Sequence, residues 1–152
     1  MANNDNILAR SGLNFFGKMS ASATHEIKNT LAIINENAGL MEDLSMMAQK
    51  GTPLPLDRIT NISQRVTKQV QRADLVLNKL NRFSHSVDQE TQTADLEKTI
   101  YVVLNLASRL IEMKGITIKV SAPSAPILIS TNLFYLQNII WRAIETMCNT
   151  PQ

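Results

Sequence analysis

One stretch of this sequence sets groups able to do covalent chemistry in a fixed order: Ala23-Thr24-His25-Glu26-Ile27-Lys28-Asn29. On a helix turning about 100° per residue, His25 stands about 160° from Ile27, away from an apolar seam through that isoleucine. Its helical neighbours would be Ala21, Ser22, Lys28 and Asn29, all small or polar. A neutral imidazole is a competent nucleophile near pH 7, and an adjacent carboxylate such as Glu26 can fix its tautomer through the other ring nitrogen. Asn29, one turn along the same face, can position a water or a phosphoryl oxygen, and Lys28 can hold incoming negative charge. The chemistry that suits this set is phosphoryl transfer through a phosphohistidine. The same residue types also make an ordinary solvated helix face, so the elements that carry them matter.

From about Asn6 to Lys50 there is no proline, and Ile27, Leu31, Ile34, Ala38 and Met41 are spaced 4, 3, 4, 3. That is the pattern of a helix with a coiled-coil-like seam. Gly51 and Thr52-Pro53-Leu54-Pro55 predict a stop and a tight turn. A second helix is expected from Leu56 or Asp57 to about His85, with Ile59, Ile62, Val66, Val70, Ala73, Leu77 and Leu80 as its seam. The two helices should run antiparallel. A helix of thirty-odd residues is about 45 to 50 Å long, whereas a compact globule of this length has a radius of gyration of about 15 Å. Two such rods cannot cover both stripes alone, so a homodimer forming a four-helix bundle is expected.

After Val87 the chain turns polar through DQETQTAD, which reads as a linker. Asp95 to Lys114 predicts a third helix, ended by Gly115; Ile116–Val120 and Ile127–Ile129 predict two strands around a proline-containing turn. Thr131 or Asn132 is placed to cap a fourth helix carrying Leu133, Leu136, Ile139, Ile140 and Ala143. The expected organisation is a helical hairpin over 1–88 and a smaller α/β region over 94–152. The fold class is mainly α with a small α/β part.

Composition narrows the function classes. Of 152 residues, 44% are hydrophobic and 18% charged, which fits a folded chain; aromatics at 5% favour helix packing over a β-sandwich. One cysteine, Cys148, excludes an internal disulfide framework and argues against a zinc site, so no metal is expected. No apolar run approaches the roughly 20 residues of a membrane span, and MANNDNILAR has no signal-peptide character. A cytoplasmic chain is predicted. The formal charge is +2, and six of 15 basic residues (Arg58, Arg65, Lys68, Arg72, Lys79, Arg82) crowd the second helix. Such a run is usually a solvated face. It also suits an acidic protein surface, and as a nucleic-acid binder it would owe nothing to His25.

Phe15-Phe16-Gly17-Lys18-Met19-Ser20, then Ala23 to Asn29 and Leu31-Ala32, resembles the H-box of sensor histidine kinases. The family pattern is a phosphoacceptor His, an acidic residue, two variable positions, then Asn or Thr. The resemblance spans about Leu13 to Val87 as the dimerisation and histidine-phosphotransfer hairpin. It implies that His25 accepts the phosphoryl group, Glu26 is the acid/base, and Asn29 orients water against a partner's phospho-aspartate. It also implies a response-regulator receiver domain as partner; Arg58 and Arg65 are expected to steer its acidic pocket electrostatically.

The remainder resembles only the start of that family's ATP-binding domain. Leu136 to Glu145 looks like the N-box, in which two asparagines stand four apart. Asn138 matches the first, but Arg142 stands where the second would hold Mg²⁺, and an arginine cannot ligate a metal. No glycine follows Gly115, so the glycine-rich nucleotide boxes are lacking. No cofactor is expected in this chain; ATP and Mg²⁺ would enter only through a complete ATP-binding domain supplied elsewhere. The chain thus reads either as a kinase fragment or as a phosphotransferase built on a decayed kinase. A silent dimerisation and regulator-binding scaffold is the alternative. His85 lacks an adjacent acid and reads as a surface or capping residue; Met41, Met46 and Met47 as packing near the hairpin tip; Trp141 as packing against the strands. Cys148 has no base near it in sequence.

Overall fold

A computed structural model describes residues 2–149, with side chains from residue 6 onward. The described chain is mainly α-helical, with one two-stranded antiparallel sheet.

Helix α1 runs Ala2–Gln49 and α2 runs Leu56–Ser84. Between them Gly51 adopts φ +89°, where a Cβ would strain the backbone. Its N–H reaches the Ala48 carbonyl at 3.0 Å while Thr52 N–H reaches Met47 at 3.1 Å. These paired bonds form a Schellman cap that satisfies the last carbonyls of α1. At the start of α2 the Pro55 carbonyl accepts from Arg58 and Ile59, and Asp57 complements the positive end of the helix dipole.

The described residues form two compact units: 24–78, and 1–23 together with 79–152. The division falls inside both long helices, not at the polar stretch near 88–94 that composition singles out.

In the 24–78 unit, Thr30, Asn37 and Leu44 of α1 and Ile62 and Val76 of α2 are buried. Ile27, Ile34, Ile59, Val66, Gln69 and Ala73 are half-buried. The expected seams are therefore rotated. Leu31, Ala38, Met41, Val70 and Leu77 face outward. A helix stripe spans more than about 100°, and a single neighbouring helix covers only one edge of it. That edge takes polar residues inside with it. Thr30 Oγ1 donates to the Glu26 carbonyl at 2.8 Å and Asn37 Nδ2 to the Ile33 carbonyl at 2.7 Å, so each is tied to its own helix. Asn37 Oδ1 and Gln69 Oε1 are buried without a hydrogen-bond partner among the described residues.

The other unit has a helical core. Phe15, Met19, Phe83, Val103, Leu106, Ala107, Ile111, Phe134, Trp141 and Ile144 form one buried cluster. Phe83 meets Phe15 edge-on at 5.2 Å between ring centroids and stacks on Phe16 at 5.5 Å; Phe134 lies 5.6 Å from Phe15. Gly12 is buried beside this cluster: a Cβ there would come within 3.1 Å of the Phe134 ring, so its hydrogen is what permits the close approach.

After α2, a single 3₁₀ turn (His85–Val87) leads into strand β1 (Gln92–Asp95), inside the stretch expected to be a linker. Asp95 ends β1 and caps α3 (Leu96–Leu106), its carboxylate accepting from Lys98 N–H at 3.2 Å. The expected third helix is interrupted at Ala107 (φ −93°, ψ 3°) and resumes as α4 (Ser108–Glu112). Gly115, at φ +66°, ends it as predicted.

Ile116–Val120 is not a strand. Ile116 and Ile118 instead pack on the helical core from a segment outside any helix or strand, with alternate residues half-buried. Strand β2 (Leu128–Thr131) pairs with β1 in the register Gln92–Thr131 to Asp95–Leu128. A strand exists only where a partner completes its ladder, and the polar stretch supplies that partner. Helix α5 (Leu133–Asn149) starts at Asn132, whose side chain accepts from Tyr135 N–H at 3.1 Å. Trp141 sits in the helical cluster; none of the cluster's residues belongs to a strand.

Candidate functional site

The rotation of α1 over residues 24–30 is set by what it buries. Thr30 is inside and Ile27 and Glu26 are half-buried, which leaves Thr24, His25, Lys28 and Asn29 exposed on the opposite side. His25, Lys28 and Asn29 thus share the accessible face that their spacing predicts.

Glu26 is turned toward α2. Its Oε1 accepts from Arg72 Nε at 3.1 Å and from Arg72 Nη2 at 3.0 Å. Adjacent residues on a helix do not face each other, so a carboxylate held by Arg72 is held to one side of the His25 ring. The pair is partly exposed, 60% for Arg72 and 27% for Glu26, so it positions a group rather than anchoring the fold. Arg72 is the residue that sequence reasoning passed over. It stood within the basic run, but the run's spacing carries no sign of which member meets Glu26 across the hairpin. The signal available was Arg58, Arg65 and Arg72 at intervals of seven, which keeps them nearly in line along α2.

Arg58 and Arg65 are exposed, and they are not gathered at His25. Along α2 they lie about 21 Å and about 10 Å from Arg72 by helical rise. Arg65 lines an open depression on α2 with Asn61, Gln64, Lys68 and Gln71.

The degenerate N-box residues have structural surroundings. Asn138 is buried, and its Nδ2 donates to Ser11 Oγ on α1 at 3.2 Å. Arg142 is exposed at the rim of a hollow shared with Leu8, Ser11, Tyr135 and Ile139. An asparagine committed to a packing hydrogen bond, followed by a cation, does not fit a magnesium nucleotide. Among the described residues no three His, Cys, Asp or Glu side chains converge as a metal site. Nor is any described helix long and apolar enough to cross a membrane.

His85 is exposed at the end of α2, as its sequence reading has it. Its Nδ1 lies 2.7 Å from Asp88 Oδ2, so it does have an acid, three residues on and brought close by the 3₁₀ turn. Cys148 is half-buried beside Trp141, Leu110 and Met113 in an apolar hollow of about 300 Å³, rimmed by the Lys18–Glu145 ion pair. Met41, Met46 and Met47 are exposed.

No protein-family profile matches the chain, and comparison with curated proteins also returns no match.

Proposed function

We propose that the chain works in two-component signalling, passing a phosphoryl group between His25 and an aspartate on a response-regulator receiver domain. The observation that carries this reading is the shared accessible face of His25, Lys28 and Asn29, beside a Glu26 held from α2 by Arg72. In the transfer, the imidazole lone pair attacks phosphorus, the acyl phosphate bond breaks, and the carboxylate of the receiver leaves. Lys28 meets the phosphoryl charge, Glu26 takes the acid/base role once its carboxylate turns from Arg72 to the ring, and Asn29 orients water for the separate hydrolysis of the receiver's acyl phosphate. The resemblance to the H-box of sensor histidine kinases supports the same assignment.

A second copy of the chain completes this reading. Leu31, Met41, Val70 and Leu77 are each at least two-fifths exposed on the 24–78 unit, and a four-helix bundle would cover them. Autophosphorylation is not part of the proposal, because Asn138 and Arg142 do not fit a magnesium nucleotide.

The test is to incubate the chain with a panel of phosphorylated receiver domains, and separately with ATP and Mg²⁺, and to follow acid-labile phosphate. Transfer from a receiver that is lost in His25→Gln supports the proposal. Labelling from ATP alone would make the chain a kinase. Binding of receivers without transfer, unchanged in His25→Gln, would replace the proposal with a regulator-binding scaffold.

A further inference from the structure

The contact between His85 and Asp88 makes an oriented imidazole in the unit formed by 1–23 and 79–152. A carboxylate at 2.7 Å from Nδ1 selects, for a neutral ring, the tautomer with its proton on Nδ1 and the lone pair on Nε2. The backbone that presents the pair is well anchored. Phe83 and Ser86, on either side of His85, are 0% and 1% exposed, and Ser86 Oγ donates to the Phe83 carbonyl at 2.6 Å. Asp88 N–H closes the turn on the His85 carbonyl at 3.3 Å. Between these fixed points the His85 and Asp88 side chains are 65% and 57% exposed. Arg82, three residues before His85, is also exposed.

We propose that His85 is a phosphoryl-accepting histidine in its own right, with Asp88 as its positioning residue and high-energy phosphoryl donors, phosphoramidates and acyl phosphates, as its substrates. This assignment is independent of His25. With phosphoramidate, the Nε2 lone pair forms the new N–P bond, the donor P–N bond breaks, and ammonia leaves with the bonding pair. The ring takes on the positive charge of an imidazolium as it attacks, and the Asp88 carboxylate on Nδ1–H is already in place to stabilise it.

The experiment treats the full chain with potassium phosphoramidate near neutral pH and locates phosphohistidine by mass spectrometry without acid exposure. Label on His85 is expected, absent in His85→Gln. In Asp88→Asn the His85 labelling rate should fall about tenfold, while helical content by circular dichroism stays unchanged. Asp88→Glu should recover part of the rate. A parallel ¹⁵N measurement on the His85 ring should show the Nδ1–H tautomer in the parent chain and its loss in Asp88→Asn. No label on His85, a rate insensitive to Asp88→Asn, or an Nε2–H tautomer in the parent chain would each overturn the proposal. Label at His25, present or absent in the same spectra, bears on the His25 reading alone.

Discussion

Two glycines on α1 should respond in opposite ways to the same substitution. Gly17 is exposed, and a Cβ built there meets nothing within 4 Å. Alanine at that position restricts the unfolded chain and favours the helix, so Gly17→Ala should stabilise by about 0.5–1 kcal/mol. Gly12→Ala gains the same helix preference but puts a methyl group 3.1 Å from Phe134 Cε1. That ring has little room to yield, since it packs 5.6 Å from Phe15, 6.0 Å from Phe83 and 5.8 Å from Tyr135. Overpacking of this kind costs about 1–3 kcal/mol, so the net effect at Gly12 should be a loss of about 1 kcal/mol. The two variants should differ by about 2 kcal/mol, which for a chain of this length separates their melting temperatures by about 4–8 °C. Urea unfolding followed by circular dichroism, at one fixed protein concentration, measures the difference. Trp141, the single tryptophan, lies in the same cluster as Phe134 and reports on it by fluorescence. Equal stabilisation by both variants would refute the packing of α5 on Gly12.

Phe83→Ala should destabilise by about 3–5 kcal/mol, since the ring is fully buried against Phe15, Phe16 and Phe134; a red-shifted Trp141 emission in the folded baseline should accompany it. Asn37→Leu should raise stability by about 1 kcal/mol or more, because it removes the buried, unpartnered Oδ1 between the hairpin helices; thermal unfolding checks the sign. Charge reversal at both Arg58 and Arg65 should slow phosphoryl exchange with a receiver about tenfold at low salt and flatten its salt dependence, as measured by stopped-time transfer assays. An unchanged salt dependence would remove both residues from the docking surface.

Much of the secondary structure was legible because its causes are local. The apolar spacing along 6–50 and 56–85, Gly51 in the left-handed region, and Asn132 as a cap all act within a few residues of themselves, and the helices and caps stand as expected. The exposed face of His25, Lys28 and Asn29 follows from the same arithmetic of 100° per residue. What the sequence could not determine was every pairing across distance. Ile116–Val120 has the alternation of a strand, yet the ladder forms between β1 and β2, because strand formation depends on which edges meet. The seams on α1 and α2 were read one edge off, since the stripe is wider than the contact and only packing decides that Thr30 and Asn37 go inside. Arg72 on Glu26, Asn138 on Ser11 and Phe134 on Gly12 join residues 46, 127 and 122 positions apart. Periodicity has no term for such separations. Local geometry determined which side chains face outward on one helix, and the tertiary structure alone decided which of them have partners.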